Sequence, residues 1–157
     1  LMTAVTAGQK GKRVLILEKN TELGAESFWI FPALHSEKPS LSKNQLERLY
    51  KHTVSALKQC GRLYLPQIKI FSSLKEILET PQLQLIYGDV SKNAPFLTSI
   101  KKEEGKKLVF VVGPEQGFHQ TEVQLFKRFQ AQGASLHFNI LRAETASLVA
   151  STLLSRI

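Results

Sequence analysis

A single cysteine, Cys60, occurs in 157 residues, so no internal disulfide can form and a reducing compartment, the cytoplasm, is the expected home. Its helical setting suits a small buried side chain better than a nucleophile. No run approaches the roughly 20 apolar residues of a membrane span. The start, "LMTAVTAGQKGKR", has no basic segment ahead of a short apolar one, so no secretory signal is expected. It begins at Leu1 rather than methionine, which suggests a piece of a longer chain. His35, His52, His119 and His137 are scattered, with no partner at i+4 and no cysteine pair, so no metal site is expected. There is no Lys-Ser or Lys-Thr after a glycine-rich loop, no G-x-G-x-x-G and no nucleophile elbow. These absences disfavour P-loop, dinucleotide-binding and serine-hydrolase chemistry. Acidic residues are outnumbered, 13 against 21 basic, giving a net charge of +8 and a pI near 9.7. An anionic partner is indicated, nucleic acid being the commonest.

What is present reads as one α/β domain spanning 1–157. The length suits a single core, and 43% hydrophobic content excludes global disorder. Residues 1–6 suit a short strand. In "KGKRVLILEKNTELG", Val14 to Leu17 could form a strand, yet Val14, Leu17 and Thr21 share a helical face that stops at Gly24, which favours a helix. "SFWIFPAL" has strand composition, ended by Pro32. "SKNQLERLYKHTVSALKQCG" is the clearest helix, with Ser42 and Gln45 as a capping box and Gly61 as its stop. A strand "LPQIKIF", a short helix capped by Ser72 or Ser73, and a strand "LQLIYGD" follow. Residues 91–107 hold Pro95 and "KKEEGKK" and are expected to form a solvated loop. Leu108–Val112 is wholly apolar, as in a parallel strand covered on both faces. It runs into Gly113-Pro114, where backbone freedom meets a fixed φ. A helix through Val123 and Phe126, stopping at Gly133, a brief strand "SLHF" and a final helix "RAETASLVASTLL" complete the chain. Strands alternating with helices predict a mostly parallel sheet with helices on both faces.

Two segments carry a resemblance: "GPEQGFHQTE" (113–122) and "LHFNILRAETA" (136–146). They are similar to the paired signatures of the RsmE-type methyltransferases, Gly-Pro-Glu-Gly-Gly-Phe-Ser-x-x-Glu and Leu-Gly-x-Arg-Ile-Leu-Arg-x-Glu-Thr-Ala. "KNTELGAE" (19–26) and "ALKQCGRLYLP" (56–66) match that family in the same order, so the resemblance covers nearly the whole chain. It implies the SPOUT fold, whose C-terminal segment is tied into a trefoil knot, an exception to the near absence of knots. It also implies a homodimer, S-adenosylmethionine as cofactor, and methylation of a uridine N3 in small-subunit (16S) ribosomal RNA, free or in an assembling subunit. The resemblance further implies an N-terminal β-barrel domain in full-length members, which is expected to lie outside this sequence.

On that resemblance, Gly113, Pro114, Glu115 and Gly117 are expected on one wall of the cofactor pocket. Leu136, Ile140 and Leu141 join them, with Tyr87 and Gly88 at the end of the neighbouring strand. Glu115 is expected to brace the knot through backbone hydrogen bonds. Methyl transfer requires alignment and loss of the N3 proton. Arg142 is the candidate for stabilising the developing uracil anion or a phosphate, and Glu144 for accepting the proton or favouring the helix start. Lys10, Lys12, Arg13, Lys19, Arg62 and Arg142 are candidates for RNA phosphate contacts. Three positions depart from the pattern. Gln116 and His137 stand at glycines of the signatures and Asn139 at an arginine, while His119 replaces the serine cap. A left-handed backbone at Gln116 or His137 would cost on the order of 1 kcal/mol. A second reading therefore stays open: a weakened or inactive knotted module that docks on ribosomal RNA. A third, less favoured, is a dimerisation unit.

Overall fold

The computed structural model describes residues 2–6, 12–36 and 41–155. In chain order these form β1 (Met2–Thr6), α1 (Lys12–Glu22), β2 (Ser27–Phe31), α2 (Lys43–Cys60), β3 (Gln67–Ile70), α3 (Leu74–Leu78) and β4 (Leu83–Gly88). A 3-10 turn (Leu97–Ser99), β5 (Lys107–Val112), α4 (Gln120–Arg128), β6 (Gln132–Ala134) and α5 (Ala143–Leu154) follow. The strands join one sheet in the order β3-β2-β1-β5-β4-β6, and every pairing is parallel.

Period-2 alternation along β5 assigns the two faces of that sheet. Leu108, Phe110 and Val112 meet Ala150 and Leu154 of α5, together with Ile86 and Leu97. Val109 and Val111 point the other way, into a cluster with Leu74 and Ile77 of α3 and Phe126 of α4. On β2, Phe28 and Ile30 pack on Ile16, Leu17 and Leu49, and so beneath α1 and α2. Trp29 and Phe31 face the α3–α4 side. Both faces are thus covered, which is why β2 from Phe28 to Phe31 and β5 from Leu108 to Val112 are apolar and buried throughout.

Local chemistry sets the helix ends. Ser42 and Gln45 form the expected capping box on α2, and Gly61 closes it in a left-handed conformation. Ser73 caps α3 by accepting from the Glu76 N–H at 3.3 Å. Helices α1 and α5 meet through a buried polar seam. Asn20 Nδ2 donates to Ile16 O (2.7 Å) and to Ser147 Oγ (3.1 Å), and Ser151 Oγ donates to Asn20 Oδ1.

Three expectations need correction. Helix α4 ends at Arg128 rather than at Gly133, because Gln130 takes a positive φ of 56° and turns the chain into β6. The last strand is Gln132–Ala134 and not "SLHF": Ser135 forms only an isolated bridge with Phe96, and His137 to Ile140 leave the sheet into solvent. The 91–107 stretch is not wholly solvated, since Leu97 is fully buried beneath its 3-10 turn.

Candidate active site

A cleft of about 990 Å³ opens where β4, β5 and β6 end. The carboxyl edge of a parallel sheet is the usual place for ligands in open α/β folds. Three segments wall it, each starting in the last residues of a strand: Tyr87 to Lys92 from β4, Val112 to Phe118 from β5, and Ala134 to Ala143 from β6.

The β5 loop is held from several sides. The Gly117 N–H donates to Pro114 O at 2.9 Å, closing a turn that gives Gly117 a φ of +76°. Phe118 folds its ring back across Gly113, where an added Cβ would lie 3.0 Å from the ring. Glu122, only 3% exposed, bridges two backbones: Oε2 accepts from His119 N (2.8 Å) and Oε1 accepts from Leu34 N (3.1 Å). His35 Nδ1 lies 3.0 Å from Gly117 O; a carbonyl only accepts, so Nδ1 carries the proton. The segment after β2 therefore splints the loop after β5.

Hydrogen bonds also fix the β6 wall. Asp89 N donates to Ala134 O (2.9 Å), Ser135 N to Pro95 O (2.8 Å), and Leu97 N to Ser135 O (2.9 Å). Gly133 is a close-approach position, where a Cβ would stand 2.7 Å from Asp89 Oδ2 and 3.0 Å from Tyr87 Cζ. Tyr87 stacks on Phe126, ring centroids 4.2 Å apart. Burial, reinforced by the Asp89 charge, raises its phenol pKa. The charged side chains lining the cleft are Asp89, Lys92, Glu115 and Arg142.

Tyr87, Gly88, Gly113, Pro114, Glu115, Gly117, Leu136, Ile140, Leu141 and Arg142 all line this one cleft. Arg142 occupies the N-cap of α5, is exposed, and makes no side-chain capping bond. Glu144 is not part of the lining; it lies in the first turn of α5, where a carboxylate meets the positive end of the helix dipole.

The basic residues expected at phosphates scatter more. Arg62 is taken up internally, its Nη1 donating to Thr21 O (2.9 Å) and Ala25 O (2.8 Å), so it braces the α1–β2 turn. Arg13 is 3% exposed, which withdraws it from a surface contact. Lys19 is exposed and pairs with Glu22 at 2.9 Å. Lys12 is the first residue of α1, and Lys10 lies outside the described residues. Among the described residues no group of three His, Cys, Asp or Glu side chains could hold a metal, and no helix is long and apolar enough to cross a membrane.

The departures from the signature cost no backbone strain: the described non-glycine residues with positive φ are Gln82 and Gln130, not Gln116 or His137. His119 still caps α4, its Nδ1 accepting from Thr121 N at 3.2 Å. Sequence reasoning missed Asp89, Lys92, Phe96 and Phe138 in the lining. Asp89 was signalled by its place just after an apolar strand; Phe138 was hidden by its resemblance to a strand residue.

Helices on both faces of an all-parallel sheet, with a cleft between the loops after β5 and β6, are the architecture of the knotted SPOUT-class methyltransferases. The solved small-subunit ribosomal RNA methyltransferase E of Neisseria gonorrhoeae, bound to S-adenosylmethionine, superposes with a TM-score of 0.85 at 26% identity, over 99% of this chain and 65% of that one. A methyltransferase from Legionella pneumophila with the same cofactor gives a TM-score of 0.87 over 99% and 66%, and at 20% identity speaks for the fold. The family model described as RNA methyltransferase domain matches residues 1–155, and the chain belongs to that family, in its RsmE-type group. Among curated relatives, ribosomal RNA small subunit methyltransferase E of Bacillus subtilis is 30% identical over 153 residues, 89% of this chain and 59% of its own length. The Borreliella burgdorferi methyltransferase E 1 is 36% identical over 107 residues, 64% of this chain and 43% of its own length. The chain thus spans about half the length of these relatives.

Proposed function

We propose that this chain is the catalytic part of an S-adenosylmethionine-dependent methyltransferase that modifies N3 of a uridine in small-subunit ribosomal RNA. It would act as a homodimer, as the family resemblance implies, in the cytoplasm that the single cysteine suits. The observation that carries the reading is that two signature segments, 113–117 and 136–142, meet around one cleft.

The residues present suit such a cofactor. About 990 Å³ is at the upper end of the range for small-molecule sites. The lining pairs apolar Val112, Leu136 and Leu141 with two carboxylates and two cations, a match for a ligand with a sulfonium, an ammonium and a carboxylate. The backbone from Gly113 to Gly117 and from Leu136 to Leu141 would hold its adenosine end, and Asp89 or Glu115 its cationic end. Bound there, S-adenosylmethionine supplies an electrophilic methyl group.

Arg142 reaches the same cleft from the N-terminus of α5, where the dipole disfavours a cation, so its place is better explained by an anion facing it. A guanidinium beside the uracil ring favours loss of the N3 proton by stabilising the anion left behind. Glu144, outside the lining, we assign to the start of α5 rather than to the proton.

Labelled methyl transfer to small subunits from cells lacking N3-methyluridine tests the proposal. Incorporation mapping to uridine N3 is expected, with kcat lowered about 100-fold in Arg142→Ala and little change in cofactor affinity. RNA retention without cofactor affinity or transfer would instead favour the docking module, the reading raised by Gln116 and His137 in the lining.

A further inference from the structure

Phe138 is 90% exposed on the β6 wall, an unusual place for a phenyl ring. Phe96, 41% exposed, meets it edge to face, ring centroids 5.1 Å apart and planes at 72°. The His137 ring stands 6.1 Å from Phe138, planes at 70°. The pair is anchored: Phe96 is bridged to Ser135, and the Leu97 N–H donates to Ser135 O at 2.9 Å. Both rings line the cleft, as do Lys92 and Arg142.

We propose that Phe96 and Phe138 form a stacking platform for an unpaired nucleobase of the RNA substrate at the mouth of this cleft. The inference rests on the RNA methyltransferase reading above. An open aromatic face beside cations is the arrangement by which single-stranded nucleic acid is held, the ring taking the base and the cations the phosphates. Phe96 packs against Phe138 in a T-shaped contact, and the surface of Phe138 that stays exposed is left to the ligand. Lys92 and Arg142 on the same cleft carry the charge that RNA phosphates would meet, and a second copy seated on the rim is the alternative that the test separates.

The test compares the unmodified protein with Phe138→Tyr, Phe138→Leu and Phe138→Ala. Its probes are a short single-stranded RNA with a central uridine and the same RNA with one flanking base removed. Stacking predicts that Phe138→Tyr binds as the original, while Phe138→Leu and Phe138→Ala bind about tenfold more weakly. Base removal should weaken the original protein and leave Phe138→Ala unchanged. Sedimentation should be the same in all four proteins. Phe138→Leu binding RNA as tightly as the original, or Phe138→Ala dissociating an oligomer, would overturn the platform and assign the ring to a second copy. No RNA retention by the original protein, with S-adenosylmethionine still bound, would overturn the platform alone. Failure to bind the cofactor would overturn the reading beneath it.

Discussion

Gly133, on β6 beside the cleft residues Tyr87 and Asp89, has the tightest surroundings of the described glycines. Any Cβ there would drive into the Asp89 carboxylate and the Tyr87 ring, at 2.7 and 3.0 Å. Gly133→Ala is expected to cost about 1–3 kcal/mol of stability. It should also weaken the cofactor more than its stability loss accounts for, because Asp89 must move; denaturation and calorimetry on one sample separate the two effects. Gly117 is constrained differently: nothing lies within 4 Å of an added Cβ, but its φ is +76°. Gly117→Ala should therefore lose about 1–2 kcal/mol through backbone strain alone. Gln116→Gly should stabilise nothing, since the backbone at 116 is not left-handed. Sequence comparison marks 116 as the anomalous position, whereas the conformation that needs glycine sits one residue later.

At the scale of elements, polar contacts hold the pieces that carry the site. Asn20→Ala removes the link between α1 and α5 and leaves Ser147 and Ser151 without that partner in a buried seam. A loss of about 1–3 kcal/mol is expected by urea denaturation. His119→Ala should cost about 1 kcal/mol as a lost cap on α4, and His119→Ser should restore it. At α3, the Ser72 N–H and hydroxyl both donate to Glu76, at 2.7 and 2.8 Å, and hold its carboxyl below the ordinary range. A depressed folded value stabilises the ionised form. That contribution is present above the unfolded value near 4.3 and is lost as pH falls through the folded one. The thermal midpoint of Glu76→Gln should thus converge on that of the original protein in acid.

These elements also mark how far the sequence could be read. The capping box at Ser42, the stop at Gly61 and the apolar run Leu108–Val112 are local signals, and each element formed where those signals lay. The end of α4 was misread because Gln130, not a glycine, takes the left-handed turn. The "SLHF" strand failed because its partner is only a single bridge to Phe96, a long-range fact with no local trace. The wall residues Gly113, Gly117, Leu136 and Leu141 were legible through their signatures. Lys92 and Phe96 come from a loop whose composition shows only polarity and a proline.

Across the whole molecule, the charge of +8 is spread widely, while Lys92 and Arg142 are the Lys and Arg side chains on the cleft itself. RNA affinity should fall steeply with salt, and Lys92→Ala should lower the magnitude of the log–log slope by about 1 at an equal loss for all sequences. Arg62→Ala should leave that slope unaltered and destabilise the fold instead, because its guanidinium serves the Thr21 and Ala25 carbonyls.

Titration calorimetry of the protein with S-adenosylmethionine tests the central claim most directly, that the loops at 113–117 and 136–142 close around a methyl donor. Saturable binding at one site per chain, weakened at least tenfold in Gly133→Ala while the fold persists, is the predicted result. Absence of heat at millimolar cofactor from a fully folded sample would contradict it.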